Sequence, residues 1–228
     1  MRPSYPLISC ICITNNRPLL LQQAIACFES QNYINKELVI SYPKDDNLTR
    51  ALLKQYENVS ILQIERDPNE TLGFARNHAL YKCHGDYVCI WDDDDWHHSS
   101  RLSFQFNSLH TVGPGFQASV LQRIFLYDYS THLAYLSFPY HWDGTLLCRK
   151  EMLLQNQYGD INRAEDTHVI PFFHKRKMLA MIGESPFLYI YTYHGSNTWP
   201  YEHFEMFIKK SQPLNEEFTA KVRTLLKD

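Results

Sequence analysis

No stretch of this sequence approaches the run of about 18 apolar residues that a membrane-crossing helix needs. The opening, Met1-Arg2-Pro3-Ser4-Tyr5-Pro6, leads into only seven apolar-biased residues, too few for a secretory signal. Positive charge is not in excess: 22 Lys and Arg stand against 25 Asp and Glu, a net charge of −3. That balance leaves no basic footprint and argues against nucleic acid as a partner. Cys-x-x-Cys spacing of the zinc type is missing among Cys10, Cys12, Cys27, Cys83, Cys89 and Cys148. Most of these cysteines sit in apolar runs, which predicts reduced core thiols and a cytoplasmic protein. The eleven histidines are scattered, and the adjacent His97 and His98 diverge in regular structure. Repeats, low-complexity tracts and linkers are absent. One domain over residues 1–228 is the simplest organisation.

What is present is a hydrophobic content of 44% and an aromatic content of 14%, enough for a sizeable core. Apolar runs at residues 7–13, 38–40, 59–64 and 87–91 read as strands. Between and after them, residues 20–30, 47–56, 73–83 and 99–109 read as helices. Strand and helix therefore alternate at short spacing over residues 1–109, which predicts an α/β fold: a mostly parallel sheet with helices on both faces. The pattern changes after Gly113-Pro114-Gly115. Residues 116–138 predict antiparallel strands, 145–148 and 187–193 further strands, and 150–157 and 166–175 helices. Two helical segments split by Pro213 close the chain. The second, residues 216–226, carries an apolar stripe that suits a docked helix and leaves peripheral membrane contact or a homodimer open.

The chain is organised around Asp92-Asp93-Asp94-Asp95-Trp96, directly after the buried run Tyr87-Val88-Cys89-Ile90-Trp91. If strand geometry continued, Asp92 and Asp94 would face one side and Asp93 and Asp95 the other. Carboxylates crowded on one side repel unless a cation or a shared proton intervenes. Mg²⁺ and Mn²⁺ accept such oxygens and often bridge to a substrate's phosphates. An acidic run is ordinarily a solvated turn. This one ends a core strand, where open α/β sheets place their ligands.

These residues resemble a known family. Ile8 to Pro18 is similar to the opening strand and Thr-Tyr-Asn-Arg-type turn of family 2 glycosyltransferases with the GT-A fold. Gln31-Asn32-Tyr33 with Lys36 to Ile40, Gly73-Phe74-Ala75-Arg76-Asn77, and Gly85-Asp86-Tyr87 to Trp96 resemble its later blocks. The match runs in consistent order over about the first 110 residues. Beyond it, Asp143-Gly144-Thr145-Leu146, Ala164-Glu165-Asp166 and His194 to Trp199 resemble the donor-sugar loop, the acidic pair of the catalytic base, and a late histidine segment.

The resemblance implies a nucleotide-sugar-binding half over residues 1–110 and an acceptor-binding half over 111–228, with a smaller antiparallel and helical part. It implies inverting transfer of a sugar from a nucleoside-diphosphate donor, a UDP-sugar by default, to a saccharide or glycolipid acceptor in polysaccharide synthesis. The setting would be the cytoplasm or the inner face of the membrane. Asp94, Asp92 and His194 are expected to meet a divalent Mn²⁺ or Mg²⁺. Asp166 is expected to act as general base beside Glu165. Thr14, Arg17, Asp45, Arg76, Asp92, Asp93 and Gly144 are candidates for donor binding. The ordinary roles stand beside these: Asp166 as an acid at a helix start, Arg76 in a surface ion pair, His194 as a structural histidine, and Asp93 and Asp95 orienting the turn or meeting solvent. Trp96, Trp142 and Trp199 suit sugar stacking, with core packing the commoner role for each.

One departure touches the donor base. The family usually ends its second strand with two aspartates, one of which binds the base. Here Tyr42-Pro43 stands in that place and Asp45-Asp46 comes after it. Two other classes of function compete. A nucleotidyltransferase would carry a Gly-rich phosphate loop near its start, and Thr14-Asn15-Asn16-Arg17-Pro18 has no glycine. A non-catalytic carbohydrate-binding relative draws on the Tyr42-Pro43 departure, against which stand Asp92, Asp94 and Asp166.

Overall fold

The structure, a computed structural model, describes residues 5–227. Residues 1–4, the start of the opening read above as too short for a secretory signal, lie outside the described residues. The elements run β1 (Ile8–Ile13), α1 (Pro18–Glu29), β2 (Lys36–Pro43), α2 (Asn47–Leu53), β3 (Ile61–Arg66), α3 (Leu72–Lys82) and β4 (Tyr87–Ile90). They continue with β5 (Trp96–His97), α4 (Arg101–Val112), β6 (Ala118–Leu121), β7 (Phe125–Asp128), β8 (Leu133–Leu136) and β9 (Leu147–Arg149). The chain closes with α5 (Lys150–Leu154), α6 (Val169–Lys175), β10 (Leu179–Ile182), β11 (Tyr189–Tyr193), α7 (Tyr201–Ile208), β12 (Gln212–Pro213) and α8 (Glu216–Leu226).

The first sheet has seven strands in the order β10-β6-β9-β4-β1-β2-β3. β1 lies parallel to β2 and to β4, as the alternating pattern predicts. Period-two geometry then sorts its side chains. Ile8, Cys10 and Cys12 pack on one face with Leu21, Ile25 and Phe28 of α1 and Leu102 and Phe106 of α4. Ile11 packs on the other with Leu80 of α3, Leu153 of α5 and Phe173 of α6. The alternation of cysteine and isoleucine along β1 thus feeds two cores at once. Each buried aliphatic side chain contributes about 1.5–3 kcal/mol to that packing. Five of the six cysteines are buried, Cys27 is half-buried, and all are free.

The second sheet runs β12-β8-β7-β11-β5. Residues 116–138 do supply the antiparallel pair β7–β8. The same stretch also gives β6 to the first sheet, where it pairs antiparallel to β9 and parallel to β10. β7 and β11 are parallel, and β5 pairs antiparallel with β11. No helix among the described residues is long and apolar enough to cross a membrane.

At the opposite end of β1 from the acidic turn, Glu37 is buried at 6% exposure. It accepts the Ser9 hydroxyl at 2.6 Å and the His84 backbone N–H at 2.6 Å, with His84 Nδ1 at 2.8 Å. Burial alone would raise its pKa, but the bonds from Ser9 and His84 outweigh it and hold the carboxyl below the usual range. A depressed carboxylate stabilises the fold above its unfolded pKa of about 4.3, and that contribution fades as pH falls through the folded value. Glu37→Gln therefore costs about 1–3 kcal/mol near neutrality. Thermal unfolding of both proteins checks this: the gap between them should shrink as pH drops from about 6 toward 3, and a pH-independent gap would contradict it.

Candidate active site

β4 ends at Ile90, and the fully buried Trp91 anchors the start of the acidic turn. Its backbone N–H donates to Ile11 O at 2.9 Å and its indole N–H to Ala24 O at 3.1 Å. The chain then crosses from the first sheet to the second, because β5 must reach β11. Residues 92–95 therefore turn and do not alternate between two faces, and each aspartate finds its own partner.

Asp92 accepts from Arg76 Nη2 at 3.3 Å. Asp93 accepts the Thr14 hydroxyl at 2.6 Å and Arg17 Nη2 at 2.5 Å. Asp94 accepts Arg17 Nη1 at 2.9 Å and faces His194 Nε2 at 3.3 Å. Asp95 accepts the Tyr189 hydroxyl and the Thr192 N–H, fixing the turn to β11. Asp93 and Asp95 are 2% and 7% exposed, so they orient the turn and do not meet solvent.

Four adjacent carboxylates cannot all ionise out of water. Burial and the neighbouring Asp94 push Asp93 up to about 7. Burial pushes Asp92 up to about 6, with Arg76 opposing, and Asp95 well above the carboxylate range. Burial would raise Asp94 too, but the His194 hydrogen bond and the Arg17 charge outweigh it and hold it low. Asp94 is the one carboxylate of the turn held below the usual range.

Arg76, on the first turns of α3, joins this turn to a second acidic group. Its Nη1 lies 2.6 Å from Glu165 and 3.6 Å from Asp166, while Nη2 serves Asp92. The N-terminus of α3 can approach that loop because residue 73 is glycine: a Cβ there would lie 1.7 Å from Gly159 O. Ala164 adopts a left-handed φ of 60°, turning the next two residues toward Arg76. Asp166 precedes α6, whose first N–H bonds to its backbone oxygen, and its carboxylate caps no helix end. Gly144 lines the same cleft. A Cβ there would meet Tyr189 OH at 2.9 Å and Asp92 Oδ2 at 3.1 Å.

The cleft has a volume of about 310 Å³ and is lined by Arg17, Arg76, Asp92–Asp95, Asp143, Gly144, Glu165 and Asp166. Thr14 is buried behind Asp93 and positions it. Asp45 is exposed and outside the cleft lining. The reason is local: Asp46 accepts Thr49 N–H as N-cap of α2 and Asn16 N–H at 2.9 Å, which ties the loop down and turns Asp45 to solvent. At the end of β3, Arg66 spans the neighbouring strand ends, donating to Ser41 O at 2.7 Å and Thr14 O at 2.9 Å.

Sequence reasoning missed Arg101, His97 and Tyr189. Arg101 is fully buried beneath the turn, 4.9 Å from the Tyr189 ring centroid and bonded to His97 Nδ1 at 2.7 Å and Gly144 O at 3.2 Å. Because Arg101 only donates, His97 Nδ1 accepts, and its Nε2–H faces Asp92 O at 3.3 Å. Burial and the Arg101 charge keep His97 neutral. Asp143, noted only within the donor-sugar loop, is pushed up to about 7 by burial and by Asp166.

Among the described residues no three His, Cys, Asp or Glu side chains converge to hold a metal by themselves. Asp94 and His194 do supply two donors 3.3 Å apart. Mg²⁺-type sites commonly use one or two carboxylates and take the remaining oxygens from water and phosphate. The donor set fits a cation shared with a diphosphate. Ser196 Oγ lies 2.9 Å from His194 Nδ1 and can accept a hydrogen bond from Nδ1–H when Nε2 turns to a metal.

This architecture is a GT-A fold. S. aureus TarS in complex with UDP-GlcNAc superposes with a TM-score of 0.69 at 14% identity, covering 84% of this chain and 60% of TarS. A mannosyltransferase from Pyrobaculum calidifontis, in complex with GDP-Man and Mn²⁺, gives 0.61 at 16% identity, covering 84% and 57%. The chain belongs to glycosyl transferase family 2, whose profile matches residues 9–174. An uncharacterized glycosyltransferase of Haemophilus influenzae is 32% identical over 111 residues, 45% of this chain and 42% of that protein. The putative glycosyltransferase EpsE of Bacillus subtilis is 31% identical over 105 residues, 45% of this chain and 38% of EpsE. The chain thus spans less than half the length of these curated relatives.

Proposed function

We propose that this chain transfers a sugar, with inversion, from a nucleoside-diphosphate donor to a hydroxyl of a saccharide or glycolipid acceptor. The observation that carries this reading is Arg76. One guanidinium holds the acidic turn through Asp92 and the Glu165–Asp166 pair through its other nitrogen, inside a single cleft. That arrangement supports a reading in which the acidic turn meets the diphosphate and the Glu165–Asp166 pair supplies the base. Residues 1–110 would bind the donor and residues 111–228 the acceptor.

Asp166 takes the proton of the acceptor hydroxyl as its oxygen bonds to the anomeric carbon. The bond from that carbon to the diphosphate breaks, and the nucleoside diphosphate leaves with the electron pair. Glu165, more buried and closer to Arg76, positions the guanidinium. A divalent cation held by Asp94 and His194 would offset the charge gathering on the diphosphate. Arg17 sets the charge and the direction of Asp93 and Asp94. A UDP donor is the default, and the TarS complex with UDP-GlcNAc is in keeping with it. Free thiols throughout suit a cytoplasmic setting.

The test is to incubate the protein with Mn²⁺, a panel of nucleotide sugars and saccharide acceptors. Release of nucleoside diphosphate with one donor is expected. Pyrophosphate release would point to nucleotidyl transfer, and sugar binding without any turnover to a carbohydrate-binding relative.

A further inference from the structure

Beneath the acidic turn lies a cation that the transfer chemistry itself never touches. Arg101 opens α4 and is fully buried. Its guanidinium donates to three neutral acceptors: Gln105 Oε1 at 3.0 Å, His97 Nδ1 at 2.7 Å and Gly144 O at 3.2 Å. It also lies against two rings, 5.4 Å from the Trp91 centroid and 4.9 Å from that of Tyr189. A buried charge without a directly bonded counter-charge is costly, and a well-packed apolar side chain often serves a core as well or better. Its presence here asks for a reason beyond packing.

The partners supply that reason, because each belongs to a part of the cleft. Trp91 leads into Asp92, and Tyr189 holds the far end of the turn through Asp95. His97 faces Asp92 O with its Nε2–H at 3.3 Å. Gly144 stands on the facing loop, so close that a Cβ would lie 3.1 Å from Asp92 Oδ2. Gln105 extends the hold to the next residue, donating to Thr145 O at 2.9 Å. One buried side chain thus ties the acidic turn, through His97, to the loop opposite it.

We propose that Arg101 is a positioning residue for donor binding: it holds Asp92 and the Gly144 loop at the spacing that admits a nucleoside diphosphate. The donor role rests on the sugar-transfer reading of the cleft. A guanidinium suits the task because its donors point in fixed directions, whereas a lysine ammonium is a compact charge on a flexible stem.

Calorimetry on the whole chain tests this with UDP and GDP, each with and without Mn²⁺, together with donor KM and kcat. Arg101→Lys keeps the charge and loses the fork, and should weaken binding of whichever nucleotide the parent takes by about tenfold. The loss should fall on donor KM more than on kcat. His97→Phe keeps a ring against Trp91, where the centroids are 3.9 Å apart, but bonds neither Arg101 nor Asp92 O. It should weaken binding by a similar factor. His97→Gln restores an acceptor and a donor, and should return the affinity to within about threefold of the parent. A residue that served only the core would lower the melting temperature and leave the nucleotide affinity of the folded protein alone. Parent-like affinity in folded Arg101→Lys and His97→Phe, or a His97→Gln no better than His97→Phe, would overturn the positioning role. Long-range ¹H–¹⁵N NMR of the parent tests the bridge without any variant. The His97 proton should sit on Nε2, and a proton on Nδ1 would overturn the bridge. A parent that binds neither nucleotide brings down the sugar-transfer reading, and the donor role of Arg101 with it.

Discussion

Asp166→Asn is expected to lower kcat about 10²–10⁴-fold, the usual worth of a positioned general base, with donor affinity nearly unchanged. The choice between Asp166 and Glu165 is made by their surroundings. Glu165 is 4% exposed and bonds Arg76 at 2.6 Å, so its charge is spent on a buried ion pair. The Asp166 side chain is 29% exposed and lies 3.6 Å from the same nitrogen, which leaves it open to the cleft. Asparagine keeps the size of the side chain but accepts no proton. Glu165→Gln acts differently: it removes the shortest of the three carboxylate contacts of Arg76 and should lower stability, while Asp92 and Asp166 remain to the guanidinium. Single-turnover rates and melting temperatures of the two variants separate the roles. A rate loss in Glu165→Gln with an active Asp166→Asn would move the base to Glu165.

Much of this was legible along the chain because the forces are local. The apolar runs of β1 and β4 and the stripes of α1 and α4 arise from side-chain periodicity alone. The second sheet does not. β5 and β12 are two residues each, and the parallel pairing of β7 with β11 joins segments some sixty residues apart. No periodicity reports such a partner. The acidic run shows the same limit at the site. Its importance could be read from its place after a buried strand, but the division of labour among its aspartates depends on the turn toward β5. Asp95 is distinguished by Tyr189 and Thr192, which are distant in sequence. Arg101 gave no signal, since a charged residue opening a helix is ordinarily solvated, and its burial depends on His97, Gln105 and Gly144 O. The Tyr42-Pro43 departure was visible, but Arg66, which crosses from β3 to the ends of β1 and β2, gave no signal because its partners are backbone oxygens distant in sequence.

Asp94→Asn should reduce turnover about 10²–10³-fold, the scale seen when one charge-stabilising group is removed from a transition state. Two contacts single Asp94 out. Its Oδ2 is shared by Arg17 Nη1 and His194 Nε2, so a cation and an imidazole can meet there. Arg17 need not be expelled when a metal arrives, because its other nitrogen remains on Asp93. Asp95, by contrast, already satisfies both oxygens within the protein, and Asp95→Asn should act through the turn's stability. The binding consequence can be measured without chemistry. A ligand at 100-fold its Kd stabilises a protein by about 2.7 kcal/mol, which for a chain of this size raises Tm by roughly 5–10 °C. The parent should show that rise with UDP only when Mn²⁺ is present. In Asp94→Asn the Mn²⁺-dependent part should vanish, because an amide oxygen carries no charge to share with the ion. An undiminished Mn²⁺-dependent shift in that variant would remove Asp94 from the metal site and leave its place in the turn, between Arg17 and His194, as its whole role.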